Sequence, residues 1–111
     1  MTKVTDMIFV GFKAKVVALD KYSGKKVWTW KSKHEFSGYV ALLLELERLY
    51  ISVDGYTTCL DALTGKERWH NPLKGMGIGV PCLAMSSGHS QPPLPGAEET
   101  RRRHSAAAAS S

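Results

Sequence analysis

Chemistry needs side chains that can move a proton, attack a carbon or hold a cation, and this chain of 111 residues carries few of them in useful company. Its histidines, His34, His70, His89 and His104, are scattered, and none stands in an HExxH spacing or in a pattern with a serine or cysteine nucleophile. The two cysteines, Cys59 and Cys82, have no CxxC partner; in a reducing compartment they read as small buried apolar residues rather than a disulfide. No cluster of Asp, Asn and Glu has the density a calcium site requires. His70, directly after Trp69, reads as an exposed strand residue. The expectation is a chain with no catalytic residues, no metal site and no resident cofactor.

Charge is the remaining chemistry. The formal net charge is +5; residues 1–33 hold eight lysines against Asp6 and Asp20, and the tail sets Arg101, Arg102 and Arg103 against Glu98 and Glu99. Such a balance can attract an anionic polymer. Lysines on outer strands also keep sheets from pairing edge to edge, and no RRM, helix-turn-helix or zinc-finger pattern is present. A solvated strand face is therefore preferred over a nucleic-acid surface. At 43% apolar and 23% charged residues the composition is that of a globular domain. There is no run of 18 apolar residues and no secretion signal, which predicts a soluble chain in the cytoplasm, off the membrane.

These residues are positioned by a repeat. A shift of 41 residues superposes Leu19 on Leu60, Asp20 on Asp61, Gly24 on Gly65, Lys25 on Lys66 and Trp28 on Trp69. A period near 40 residues belongs to repeat architectures, and the four-stranded blade of a β-propeller fits it best. Residues 7–10 predict a strand ending at Gly11, and residues 15–19 a second, joined through Lys13-Ala14 without the usual Asn-Gly signal. From Asp20 to Gly24 the chain turns: the aspartate can accept a backbone N–H two residues on, and the glycine can take a left-handed conformation. Residues 25–30 form a third strand with Trp28 and Trp30 on one face, and residues 32–37 form a polar connection.

Residues 38–49 are ambiguous. Their Ala, Leu, Glu and Arg favour a helix by propensity, whereas the repeat sets them over Gly79 and Pro81, poor helix material. A nearly continuous apolar run is also what a strand covered on both faces looks like, and strand is the expectation. Residues 49–53 then repeat the first strand, Asp54-Gly55 gives a hairpin signal, residues 57–60 repeat the second strand, residues 61–65 the turn and residues 66–71 the third strand. Residues 78–85 match the innermost strand. The pattern stops at Ser86, so that residues 1–85 form the repeat unit. Residues 86–95 read as a linker, and residues 97–109 as a marginal short helix within a Pro/Ser/Ala-rich tail.

With Ala18-Leu19-Asp20, Ser23-Gly24-Lys25 and Trp28, and again Leu60-Asp61, Thr64-Gly65-Lys66 and Trp69, the chain resembles the pyrroloquinoline-quinone-like (PQQ-like) β-propeller repeat family. That family includes quinoprotein alcohol dehydrogenases and the propeller subunit of the outer-membrane protein assembly machine. The resemblance covers roughly residues 7–85. It implies an all-β fold of four-stranded antiparallel blades, about two per chain. It also implies that Trp28 and Trp69 pack against neighbouring blades, each burying on the order of 200 Å², and that Gly24 and Gly65 form the turn between the third and fourth strands of their copies. In the quinoprotein dehydrogenases a vicinal cysteine pair, a stacking tryptophan and acidic calcium ligands mark the cofactor site. This chain has no adjacent cysteines and no such acidic cluster, so the name of the repeat carries no quinone binding with it.

Counted along the repeat, the chain holds three strands of one blade, four of the next and one innermost strand left over. Two blades cannot close a ring. Residues 78–85 of one subunit could complete the first blade of another beside residues 7–10, a head-to-tail contact that closes by rotation; three subunits would give six blades and four would give eight. The alternative is a fragment of a longer propeller. Functionally, the expectation is a non-catalytic repeat module acting as a structural or protein-interaction scaffold. The alternatives are a quinoprotein-like protein with a small cofactor in its channel, and a basic ring using the lysines of residues 13–33.

Overall fold

The computed structural model describes residues 3–33, 38–86 and 90–91. A short 3-10 turn, Val4–Asp6, leads into β1 (Met7–Phe12), β2 (Lys15–Asp20) and β3 (Lys26–Lys31), which pair antiparallel in that order. A second sheet follows from β4 (Val40–Glu45), β5 (Arg48–Val53), β6 (Tyr56–Asp61) and β7 (Glu67–Asn71), again antiparallel and in chain order. β8 (Leu83–Ala84) and β9 (Ser90–Gln91) form a two-residue ladder. The fold is all-β, with one three-stranded and one four-stranded blade.

The repeat extends to the irregularities. Phe9 pairs with Ala18 and Ala18 with Trp28; one period later Tyr50 pairs with Cys59 and Cys59 with Trp69. Each middle strand shifts register at the same place, between Ala18 and Leu19 and between Cys59 and Leu60. The ambiguous stretch is strand. Leu42 pairs with Ile51 and Leu44 with Leu49, and apolar contacts on both sheet faces outweigh helical propensity.

Most strand ends lie within a residue or two of the expected ones, and two of the differences have a structural cause. Residues 38–49 are not one strand: the chain reverses at Leu46-Glu47, and β5 begins at Arg48. Leu46 supplies the reversal at φ 54 with no glycine to announce it. β1 likewise does not stop at Gly11 but runs on to Phe12. Gly11 is needed because β1 and β4 approach closely, and a Cβ there would lie 2.8 Å from Val40 Cγ1. The Lys13-Ala14 connection is as tight as expected, with both residues at positive φ (47 and 59) as a two-residue hairpin of matching twist requires.

The core lies between the blades. Val16, Phe9, Trp28 and Trp30 of the first blade meet Leu49, Ile51, Val53 and Leu60 of the second, with Val40, Leu42 and Leu44 of β4 beside them. Successive strand residues alternate between faces, so each blade spends one face on this interface and turns the other outward.

Beyond β7, residues 78–82 belong to no ladder, and of the expected inner strand only Leu83–Ala84 forms, lying against β4. Pro81 has no N–H to give a ladder, and the glycines at 77 and 79 resist extension. Strand pairing continues past Ser86, where Ser90–Gln91 folds back on β8. Leu42 pairs with Ile51, so a shift of 41 would pair Leu83 with Pro92; Leu83 instead pairs with Gln91. β8 and β9 thus repeat the β4–β5 hairpin one residue out of step. The connection at residues 34–37, His34, His89, His104, Arg101 to Arg103, most of the 86–95 linker and the helix expected at 97–109 lie outside the described residues.

Candidate functional site

The most specific geometry in the molecule is the seat of Trp28. Its indole Nε1–H donates to the Ala62 carbonyl at 2.9 Å. The ring lies on Gly65, where a Cβ would come within 2.6 Å of Trp28 Cδ2. The seat is built by the turn after β6. Asp61 Oδ1 accepts the Leu63 N–H at 2.9 Å and the Thr64 N–H at 3.3 Å, the Gly65 N–H donates to the Asp61 carbonyl at 2.8 Å, and Gly65 holds φ +76. Leu60, buried directly before this turn, closes the apolar floor. Arg68 reaches Asp61 at 3.7 Å across solvent, a contact of little energetic weight.

The first blade builds the same turn with no described side chain seated on its glycine. Asp20 Oδ1 accepts the Tyr22 and Ser23 N–H groups, each at 2.9 Å, and the Gly24 N–H donates to the Asp20 carbonyl at 2.8 Å. The Ser23 and Tyr22 N–H groups hold the Asp20 carboxyl below its ordinary pKa. Gly24 takes φ +75, yet a Cβ there would meet nothing within 4 Å. Leu19 precedes the turn as Leu60 does.

Trp69 is the counterpart of Trp28 and has the same neighbour on its own sheet. Trp28 lies 5.9 Å from Phe9 at 42°, and Trp69 lies 6.2 Å from Tyr50 at 47°. Trp28 is covered by the other blade, whereas Trp69 remains 43% exposed. The outward face of the first blade shows the converse. Ile8, Val10 and Phe12 are 38 to 47% exposed, while their counterparts one period on, Leu49, Ile51 and Val53, are no more than 1% exposed because the first blade covers them. Val27 and Tyr22 add to the exposed apolar surface of that blade.

Among the described residues the histidines and cysteines do not come together. Cys59 is buried, and burial pushes its thiol pKa up, which makes it a poor nucleophile. Cys82 is exposed, contrary to the expectation that both cysteines are buried, because residues 78–82 are loop rather than inner strand; both thiols are free. His70 is exposed as expected, and its Nδ1 lies 2.8 Å from the hydroxyl of buried Thr58. Among the described residues no three His, Cys, Asp or Glu side chains gather into a metal-sized group, and no helix is long and apolar enough to cross a membrane. A depression at the β4–β5 turn is lined by Lys3 and Arg48 together with Glu45 and Glu47, so its charge is mixed. Lys13, Lys21, Lys25, Lys26, Lys31 and Lys33 are all exposed.

Sequence motifs alone missed the Ala62 carbonyl and the Ile8, Val10 and Phe12 face. The signal was present: the 41-residue shift, applied to apolar positions as well as to identities, carries that face onto the buried core of the second blade.

No curated protein matches this chain. A family model described as the outer membrane protein assembly factor BamB matches residues 13–88, more than half of the chain and the part that carries both turns and both blade tryptophans. The chain therefore belongs to that family of PQQ-like repeat proteins.

Proposed function

We propose that this chain is a non-catalytic β-propeller repeat module that serves as a structural or protein-interaction scaffold, working in the cytoplasm with its thiols reduced. The supporting observation is the pair of outward blade faces. One presents Ile8, Val10 and Phe12 and the other Trp69, residue types that within the chain form the interface between blades. Contiguous apolar surface of this kind on a water-soluble domain marks a place of association. A binding module works through a complementary surface, and the two outward faces are the surfaces this reading uses.

The test is a titration of purified protein with pyrroloquinoline quinone and calcium, followed by absorbance and thermal unfolding. The module reading expects an unchanged spectrum and melting temperature. A saturable rise in melting temperature with a bound-quinone spectrum would contradict it in favour of a cofactor-binding channel.

A further inference from the structure

We infer that the partner of these faces is a second copy of this chain, docked head to tail so that the Trp69 face of one copy covers the Ile8, Val10 and Phe12 face of the next. This rests on the module reading above and names its partner. The model for the contact is the interface inside the chain. There Trp28 sits on Gly65 and donates to the Ala62 carbonyl, over a floor of Leu49, Ile51, Val53 and Leu60. One period away the same parts exist without each other: Trp69 is exposed, Gly24 has open space where Gly65 has an indole, and Lys21 offers the carbonyl equivalent to that of Ala62. Ile8, Val10, Phe12 and Leu19 stand where Leu49, Ile51, Val53 and Leu60 stand. Each half of a working interface therefore occurs twice in one chain, joined once.

A backbone contact accompanies the docking. Among the described residues β1 is an edge of the three-stranded blade, and β8 lies against β4, at the place where the inner strand of a following blade begins. The register of β4 on β5 carries over to Leu83 opposite Val10, and Ala84 opposite Phe9, of the neighbouring copy. Ser90–Gln91, which holds β8 by two residues, gives way to the six-residue β1.

The contact between copies is weaker than its internal model. The Trp69 face has Thr57, Cys59 and Asn71 where the Trp28 face has Val16, Ala18 and Trp30. Less apolar area is gained, and association is reversible and concentration dependent. The contact is heterologous, so assembly proceeds by rotation toward a ring.

Sedimentation equilibrium of the full chain and of two variants tests this, with far-ultraviolet circular dichroism as the folding control. Trp69→Ala damages one face and Val10→Lys the other. Wild type is expected to assemble at about 0.1 mM, and each variant alone to remain monomeric with an unchanged β spectrum. A mixture of the two is expected to form a 1:1 dimer, because each supplies the face the other lacks. If Val10→Lys fails to fold, Phe12→Lys replaces it on the same face. A monomeric wild type, variants that assemble like wild type, or a mixture that stays monomeric would each overturn the inference. None of these results bears on quinone binding, so the module reading stands or falls separately.

Discussion

Two tryptophans in equivalent positions have different work to do, and the difference sets the residue-scale predictions. Trp28→Ala removes an indole packed between blades and leaves the Ala62 carbonyl without its donor, which should cost about 3–5 kcal/mol in urea unfolding. Trp69→Ala, in a chain held monomeric by dilution, should cost about 1 kcal/mol because the side chain is already half in water. The glycines separate in the same way. Gly24→Ala bears only the left-handed penalty of about 1–2 kcal/mol, whereas Gly65→Ala bears that penalty and must also displace Trp28, so its unfolding midpoint should fall further. Asp20 adds a pH dependence. Its folded pKa lies below the ordinary 3.8, so the turn contributes fully above that value and loses its contribution as pH falls through the lower folded value. Asp20→Asn keeps an acceptor oxygen that does not titrate, and should flatten that acid limb when unfolding midpoints are measured against pH.

At the scale of elements, most of the architecture was legible because local chemistry and the repeat agreed. The Asp20 and Asp61 turns formed as expected from a carboxylate two and three residues ahead of N–H groups and a glycine at the left-handed position. The β4 strand could be read only from the repeat together with its continuous apolar run, since its leucines and alanine favour helix locally. What could not be read was where backbone geometry is imposed against residue preference. Leu46 turns at φ 54 while 86% exposed, because pairing β4 with β5 fixes the turn and no side-chain contact selects leucine for it. Leu46→Gly should therefore raise stability by about 0.5–1 kcal/mol, read as a higher urea midpoint with an unchanged slope. Cys82 was misplaced for a related reason: the repeat marks where an inner strand belongs, but Pro81 and its flanking glycines let only two residues of it form.

The whole molecule is an interface before it is a pair of sheets. Its fully buried apolar residues lie mostly between the blades, so neither blade has a core of its own to fall back on, and the two should unfold together in one transition by circular dichroism and tryptophan fluorescence. The candidate site was half visible in the sequence: Trp28, Trp69, Gly24 and Gly65 stood out as identities, while the Ile8, Val10 and Phe12 face keeps only its apolar character between copies, and its exposure shows only in the structure. The central claim is that the outward faces are the two halves of the interface already formed within the chain, and that copies join through them. Native mass spectrometry at about 0.1 mM tests it most directly. The predicted result is a discrete assembly of three or four copies, six or eight blades in all; a spectrum of monomer alone would contradict it.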